Sequence, residues 1–222
     1  MDESAFREAV ERECATELDR LGSNRLLVAL TDAELTTPAV LSVAAASEAA
    51  ARDTFAAWAE DESDDEAREA FAATADRERE HYERVVESLT DADPDAAAAL
   101  RGPAAGPDDP GPVHGYLRAR EETVERLAAG VVGRGLVSLR THTQVVSFFV
   151  NEADERRASL FRGLRDETAT ALEDGLGLLA ARCESDEAWD RALAGARYVV
   201  TLAYDDYADA LQGMGVDPKP VC

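Results

Sequence analysis

Residues 67–89 have the sequence AREAFAATADREREHYERVVESL, and the spacing of these residues gives the clearest indication of the fold. Its apolar residues recur at spacings of three and four, which places them along one face of an α-helix. That face consists of Ala67, Phe71, Thr74, Glu78, His81, Val85 and Leu89. Glu78 and His81 lie one turn apart on it, so we predict that a carboxylate and an imidazole point into the core. Burial of a carboxylate is costly, so another group must compensate it.

The preceding helix carries a second carboxylate on its inward face. That face consists of Leu41, Ala44 or Ala45, Glu48, Arg52, Phe55 and Ala59. A threonine N-cap followed by Pro38 at the first helical position starts this helix. The polar connection 61–66, with a serine or aspartate cap, starts the next one. We therefore predict a helical hairpin in which Glu48 faces Glu78 and His81, which is half of the metal site of a di-iron four-helix bundle.

The same spacing recurs almost throughout the chain, and no run alternates strictly as a strand would, so we predict an all-α protein. The predicted helices span residues 3–31, 37–60, 64–90, 115–151, 154–183 and 186–214. Residues 91–112 contain five prolines and few large apolar side chains, which indicates a linker crossing the length of a bundle. With a short connection at 151–156, the order is hairpin, long crossover, hairpin. We predict one domain, 1–222, with a four-helix core at 37–183 and one extra helix at each end.

The charge of the chain excludes several partners. Lys and Arg number 23 against 46 Asp and Glu, a net charge of −23 that repels nucleic acid and anionic membranes. Lys219 is the single lysine and isoleucine is missing, a composition that resembles proteins of salt-in halophilic archaea. In molar salt the Debye length falls to about 3 Å, so we interpret the acidity as a solubility adaptation.

Membrane insertion and export are not predicted either. The longest uncharged stretch, Leu35–Ser47, has 13 residues and contains a proline, so it is too short to cross a bilayer. Residues 1–13 lack a signal region, and we expect a cytoplasmic protein. Cys14, Cys183 and Cys222 share no metal-ligand spacing. We expect Cys14 to pack in a core and Cys222 to be either a reactive thiol or part of a flexible tail.

One glycine-rich stretch resembles a nucleotide loop only superficially. Gly130, Gly133 and Gly135 are not in the order of a dinucleotide-binding motif, and no strand precedes them. We therefore predict close helix packing or a kink at 130–135.

The paired helices resemble the rubrerythrin branch of the ferritin-like family. Residues 48–55, EAAARDTF, are similar to the ligand segment of its first helix. Residues 71–81, FAATADREREH, are similar to the segment of its second helix, with the string T-A-D-x-E-x-E-H intact. The resemblance covers the second to fifth predicted helices. It implies a ferritin-like four-helix bundle with Glu48, Glu78 and His81 as metal ligands.

The second half of the chain departs from that family. Aligning its helices places Arg134 where the third-helix glutamate belongs, and Thr168 and Ala171 where the fourth-helix glutamate and histidine belong. Val137 replaces a further glutamate, and no iron–sulfur cysteine module follows. The resemblance therefore implies an incomplete metal centre, which argues against ordinary dinuclear peroxidase or ferroxidase chemistry.

Two interpretations of the incomplete centre remain open. In the first, the Arg134 guanidinium pairs with Glu48 and Glu78 and substitutes for metal. The protein then has no cofactor and no enzymatic activity, and acts by binding or regulation with another protein or a second copy. In the second, Glu48, Glu78 and His81 hold one Fe, Mn or Zn ion with water. The protein is then a metal-binding redox protein with a reduced, mononuclear site, similar to a rubrerythrin-type oxidative-stress enzyme.

Overall fold

A computed structural model describes residues 1–101 and 111–218. Within these ranges the regular elements are all helical, which confirms the all-α class. The helices are Glu3–Glu13 (α1), Ala15–Leu21 (α2), Arg25–Leu30 (α3), Thr37–Asp61 (α4), Asp65–Thr90 (α5), Pro94–Arg101 (α6), Gly111–Arg118 (α7), Thr123–Arg126 (α8), a π-helical segment Leu127–Gly133, Arg134–Asn151 (α9), Glu155–Arg182 (α10) and Asp186–Gly213 (α11). None of the helices in the described residues has the length and apolarity that crossing a membrane requires.

The chain divides into two compact units. The central unit is Leu30–Arg118, and the terminal unit is Met1–Ala29 with Ala119–Cys222. The single domain expected from the sequence stays a prediction.

The central unit is built on the predicted hairpin of α4 and α5. Thr36 caps α4 by accepting a hydrogen bond from the backbone N–H of Ala39, so Pro38 is the second helical residue and not the first. The Asp64 carboxylate caps α5, as one of the two predicted cap types. All seven residues of the predicted inward face of α5 are buried. On α4 the predicted face is buried except at Arg52 and Ala59, which are half-buried.

An aromatic cluster closes the turn end of this hairpin. The rings of Phe55 and Trp58 on α4 lie 5.4 Å apart, edge to face. Phe71 on α5 lies 5.3 Å from Trp58 and 6.1 Å from Phe55. These contacts set the register of the two helices, because they fix which turn of α4 lies beside which turn of α5.

Part of the predicted linker at 91–112 is helical, because it contains α6. Asp93 caps this helix by accepting a hydrogen bond from the backbone N–H of Ala96 at 2.9 Å, and Pro94 is its first residue. Alanine is the best helix former, so the run of four alanines at 96–99 continues it. Ala97 is fully buried. The remainder of the predicted linker at 102–110 lies outside the described residues.

Helix α7 packs on α4 through a buried hydroxyl. The Oγ1 of Thr54 lies 2.9 Å from Nδ1 of His114 and accepts a hydrogen bond from Nε of Arg118 at 3.2 Å. It donates its own proton to the backbone oxygen of Ala50, one turn earlier. Because α7 ends at Arg118 and α8 begins at Thr123, the predicted helix 115–151 is interrupted.

The terminal unit breaks the predicted first helix, 3–31, into three. Cys14 has φ −108°, which ends α1, and residues 22–24 separate α2 from α3. Apolar periodicity continues across the first break, since Val10, Cys14 and Leu18 are all buried. Burial raises the pKa of the Cys14 and Cys183 thiols, which fits the packing role expected for Cys14. Cys222 lies outside the described residues.

Close helix packing occurs at 130–135, as predicted. A Cβ added to Gly133 would lie 2.7 Å from the backbone oxygen of Ala196 on α11. A Cβ added to Gly175 on α10 would lie 2.2 Å from Cγ1 of Val131 in the π-helical segment. The segment therefore approaches α10 and α11 more closely than any larger residue at these two positions would permit.

Candidate metal centre

Three buried donor side chains converge in the central unit. Glu48 extends from α4, and Glu78 and His81 extend from successive turns of α5. Their exposed fractions are 2%, 2% and 0%. The structure thus brings together the three side chains that the sequence selected as ligands.

The spacing of the donor atoms suits one ion. Nδ1 of His81 lies 3.7 Å from Oε2 of Glu48 and 3.9 Å from Oε2 of Glu78. One ligand atom from each residue lies within 4.8 Å of the other two. With metal–ligand bonds of about 2.1 Å, tetrahedral ligands are about 3.4 Å apart. The two separations from His81 exceed this spacing by about 0.3 and 0.5 Å, and the separation of the two carboxylates exceeds it by at most about 1.4 Å. The group could therefore hold one metal ion.

The donor set indicates the class of ion. Two carboxylates and an imidazole suit Fe, Mn or Zn, and three protein ligands leave a position for water. Two carboxylates held close together in a buried place are costly to ionise, because they have lost solvent and they repel each other. A divalent cation would compensate both charges.

The other acidic residues of the string T-A-D-x-E-x-E-H on α5 point to solvent. Asp76 and Glu80 are exposed, and Asp76 pairs with Arg79 at 2.9 Å on the same surface. Helical spacing thus separates Glu78, which is buried, from a carboxylate only two residues away. Glu80 is therefore a matched control for Glu78.

Tyr82, which follows His81 in the chain, was not among the residues predicted for the site. Its ring lies 5.3 Å below the guanidinium of Arg52, one turn after Glu48, and its hydroxyl donates to the backbone oxygen of Leu100 at 2.6 Å. The signal in the sequence was weak, because a tyrosine beside a ligand on a helix has no fixed partner until the packing of α6 is known.

The remaining predicted positions lie in the terminal unit. Arg134 is buried, with 7% of its surface exposed. Thr168 is buried and its hydroxyl donates to the backbone oxygen of Leu164, while Ala171 is half-buried. The pairing of Arg134 with Glu48 and Glu78 stays a prediction. Across residues 1–101 and 111–218, Glu48, Glu78 and His81 form the one group of three His, Cys, Asp or Glu donors that could hold a metal ion.

No family model, curated protein or solved structure matches this chain.

Proposed function

We propose that this protein binds a single divalent metal ion through Glu48, Glu78 and His81. The observation that supports it is the convergence of three buried donor atoms from two turns of α5 and one turn of α4. Burying these groups together lowers the stability of a helical hairpin unless a cation compensates them. A divalent metal ion bound by both carboxylates would offset that cost.

We further propose that the site is mononuclear, within a rubrerythrin-like protein of the ferritin-like bundle type. The hairpin and the two ligand strings support this class. A dinuclear site needs carboxylates from a second helix pair to bridge metals about 3.5 to 4 Å apart. The corresponding positions hold Arg134, Thr168 and Ala171, and none of these side chains is a carboxylate or an imidazole.

The burial of the donors favours binding or regulation over catalytic turnover. An Fe, Mn or Zn ion would supply Lewis acidity, and Fe or Mn would also supply redox chemistry. With Glu48, Glu78 and His81 at most 2% exposed, a substrate has little surface through which to reach the ion. We propose a cytoplasmic protein whose partner is another protein or a second copy, since the charge of −23 disfavours nucleic acid and anionic membranes.

The test is a metal titration of protein purified at high salt without a metal-binding affinity tag. After treatment with a chelator, the protein is titrated calorimetrically with Zn(II), Mn(II) and, without oxygen, Fe(II). We expect one ion per chain. Absence of binding by all three ions overturns the proposal, and two ions per chain with enzymatic consumption of peroxide would replace it with a dinuclear enzyme.

Two variants of α5 locate the ion. Glu78→Gln removes a charged donor and should abolish stoichiometric binding. Glu80→Gln makes the same chemical change at an exposed position two residues away and should bind like the parent protein. Circular dichroism in molar salt checks that both variants remain helical. Equal affinities in the two variants would place the ion elsewhere.

A further inference from the structure

We propose that metal binding at Glu48, Glu78 and His81 is coupled to the docking of α6. The connection is a set of three residues, Arg52, Tyr82 and Leu100, which we name the α6 brace. This inference rests on the proposed metal binding and adds a structural response to it.

The first contact of the α6 brace joins α5 to α6. The Tyr82 hydroxyl donates to the backbone oxygen of Leu100 at 2.6 Å. This carbonyl is among the last four of α6, which have no partner within their own helix. Tyr82 therefore caps the C-terminal end of α6, while Ala97 in the middle of that helix is fully buried.

The second contact joins α4 to the same tyrosine. The Arg52 guanidinium lies 5.3 Å from the centre of the Tyr82 ring, within the range of a cation–π interaction. Asp53 holds that guanidinium through contacts of 2.8 Å to Nε and 2.7 Å to a terminal nitrogen. The α6 brace thus needs α4 and α5 at a defined separation.

The metal ligands control that same separation. Arg52 lies one turn beyond Glu48 on α4, and Tyr82 is adjacent to His81 on α5. Closing Glu48 onto an ion shared with α5, by about 0.3 Å toward His81 and by at most about 1.4 Å toward Glu78, draws α4 and α5 together at this level. Metal therefore favours the arrangement in which Tyr82 contacts both Arg52 and Leu100.

Because of thermodynamic linkage, this coupling can be measured either as the docking of α6 or as the affinity for metal. If metal stabilises the docked α6 by some factor, docking of α6 must strengthen metal binding by the same factor. The free energy behind this factor cannot exceed what the Tyr82–Leu100 hydrogen bond contributes. We therefore expect a change of about three- to tenfold in both the docking of α6 and the metal affinity.

The experiment follows amide hydrogen exchange in residues 95–101 and the affinity for Zn(II). In the parent protein, saturating Zn(II) should slow exchange in α6 about three- to tenfold. Tyr82→Phe keeps the ring over Arg52 but loses the hydroxyl. It should bind one Zn(II) with about three- to tenfold lower affinity, and its α6 should exchange equally fast with and without Zn(II).

A matched control makes the same change in the terminal unit. Tyr198 on α11 is 49% exposed, and Tyr198→Phe should leave both measurements unchanged. If the parent protein binds Zn(II) and exchange in α6 does not respond, the coupling is wrong and the metal site stands. A Tyr82→Phe variant that loses α6 protection but keeps full Zn(II) affinity also overturns the coupling. If the parent protein binds no metal ion, the proposed function itself fails.

Discussion

The α4–α5 and α9–α10 hairpins have the same arrangement of helices, but different side chains lie at their centres. Each joins two long helices through a short turn, and an aspartate caps the second helix of each, Asp64 in one and Asp154 in the other. Glu48, Glu78 and His81 lie at the centre of the first hairpin. In the second, Phe149 and Phe161 stack at 5.7 Å, and Leu164 and Leu172 are buried along α10.

The difference shows that a hairpin can be held together in two ways. The α9–α10 hairpin gains stability by apolar burial, and its buried Thr168 hydroxyl is satisfied by its own helix. Glycines permit a closer approach there, because a Cβ on Gly135 would lie 3.3 Å from Leu172. The α4–α5 hairpin instead brings two carboxylates and an imidazole together at its centre, and such a cluster is costly to bury. That cost is expected where a ligand compensates it.

The largest expected effect comes from removing salt. The central unit contains 21 Asp and Glu against 7 Arg, and the terminal unit contains 25 Asp and Glu against 16 Arg and Lys. Repulsion grows as the screening length increases, so we expect unfolding in dilute buffer, beginning in the central unit. Circular dichroism and hydrogen exchange at decreasing NaCl concentrations measure this. Full helicity in dilute buffer without added salt would contradict it.

The buried histidines of the two hairpins should behave differently. His81→Ala removes a metal donor and should weaken Zn(II) binding at least about a hundredfold, the upper range for losing a residue that merely supports a ligand. His142 is buried in α9 with its ring 6.2 Å from that of Phe161. His142→Ala should leave Zn(II) affinity unchanged and lower stability by about 1 to 3 kcal/mol through lost packing. If both variants lost the same Zn(II) affinity, His81 would not be distinguished from His142 as a metal ligand.

Close packing in the terminal unit can be tested on two glycines of α10. Gly175→Ala places a methyl group against Val131 and should lower the free energy of unfolding by about 1 to 3 kcal/mol. Gly177→Ala is the control, because its nearest non-local atom is an oxygen of Glu3 at 3.9 Å. It should raise that free energy by about 0.5 to 1 kcal/mol through helix propensity. Urea unfolding in molar salt measures both, and a stabilising Gly175→Ala would contradict the close approach.

The smallest effect concerns the cap of α10 and its dependence on pH. Hydrogen bonding by the backbone N–H of Arg157, and then by its side chain, lowers the pKa of Asp154 below the ordinary 3.8. The folded protein therefore binds this proton less readily than the unfolded chain. The resulting stability is complete above the ordinary pKa and is lost as pH falls through the lowered one.

Asp154→Asn keeps the cap but removes the charge. We expect it to cost about 0.5 to 1 kcal/mol near neutral pH, with the difference from the parent protein shrinking below pH 3.8. Unfolding free energies of the two proteins between pH 2 and pH 7 check this. A difference that does not change with pH would show that the charge of Asp154 contributes nothing.

Periodicity predicted the α4–α5 hairpin and its donors because it reports which face of a helix is buried. It placed Glu78 and His81 on the inward face of α5 without any knowledge of tertiary contacts. It could not show the break at Cys14, since the buried face continues through that residue while the backbone leaves helical geometry. Helix α6 was missed for the opposite reason. Alanine contributes little to an apolar pattern, and capping by Asp93 with docking through Tyr82 maintains the helix.

The π-helical segment fixes the angular setting of α9. Hydrogen bonds from residue i to i+5 give a π turn more residues than the 3.6 of an α turn, so the segment contains surplus residues relative to α winding. Six of its seven residues are buried. If all seven residues wound as an α-helix, each would turn the chain by about 100°, which is more than in the π form, and everything downstream would rotate. Leu136, Val145 and Phe149 would turn away from the interior, so the winding of these seven residues decides which side of α9 is core.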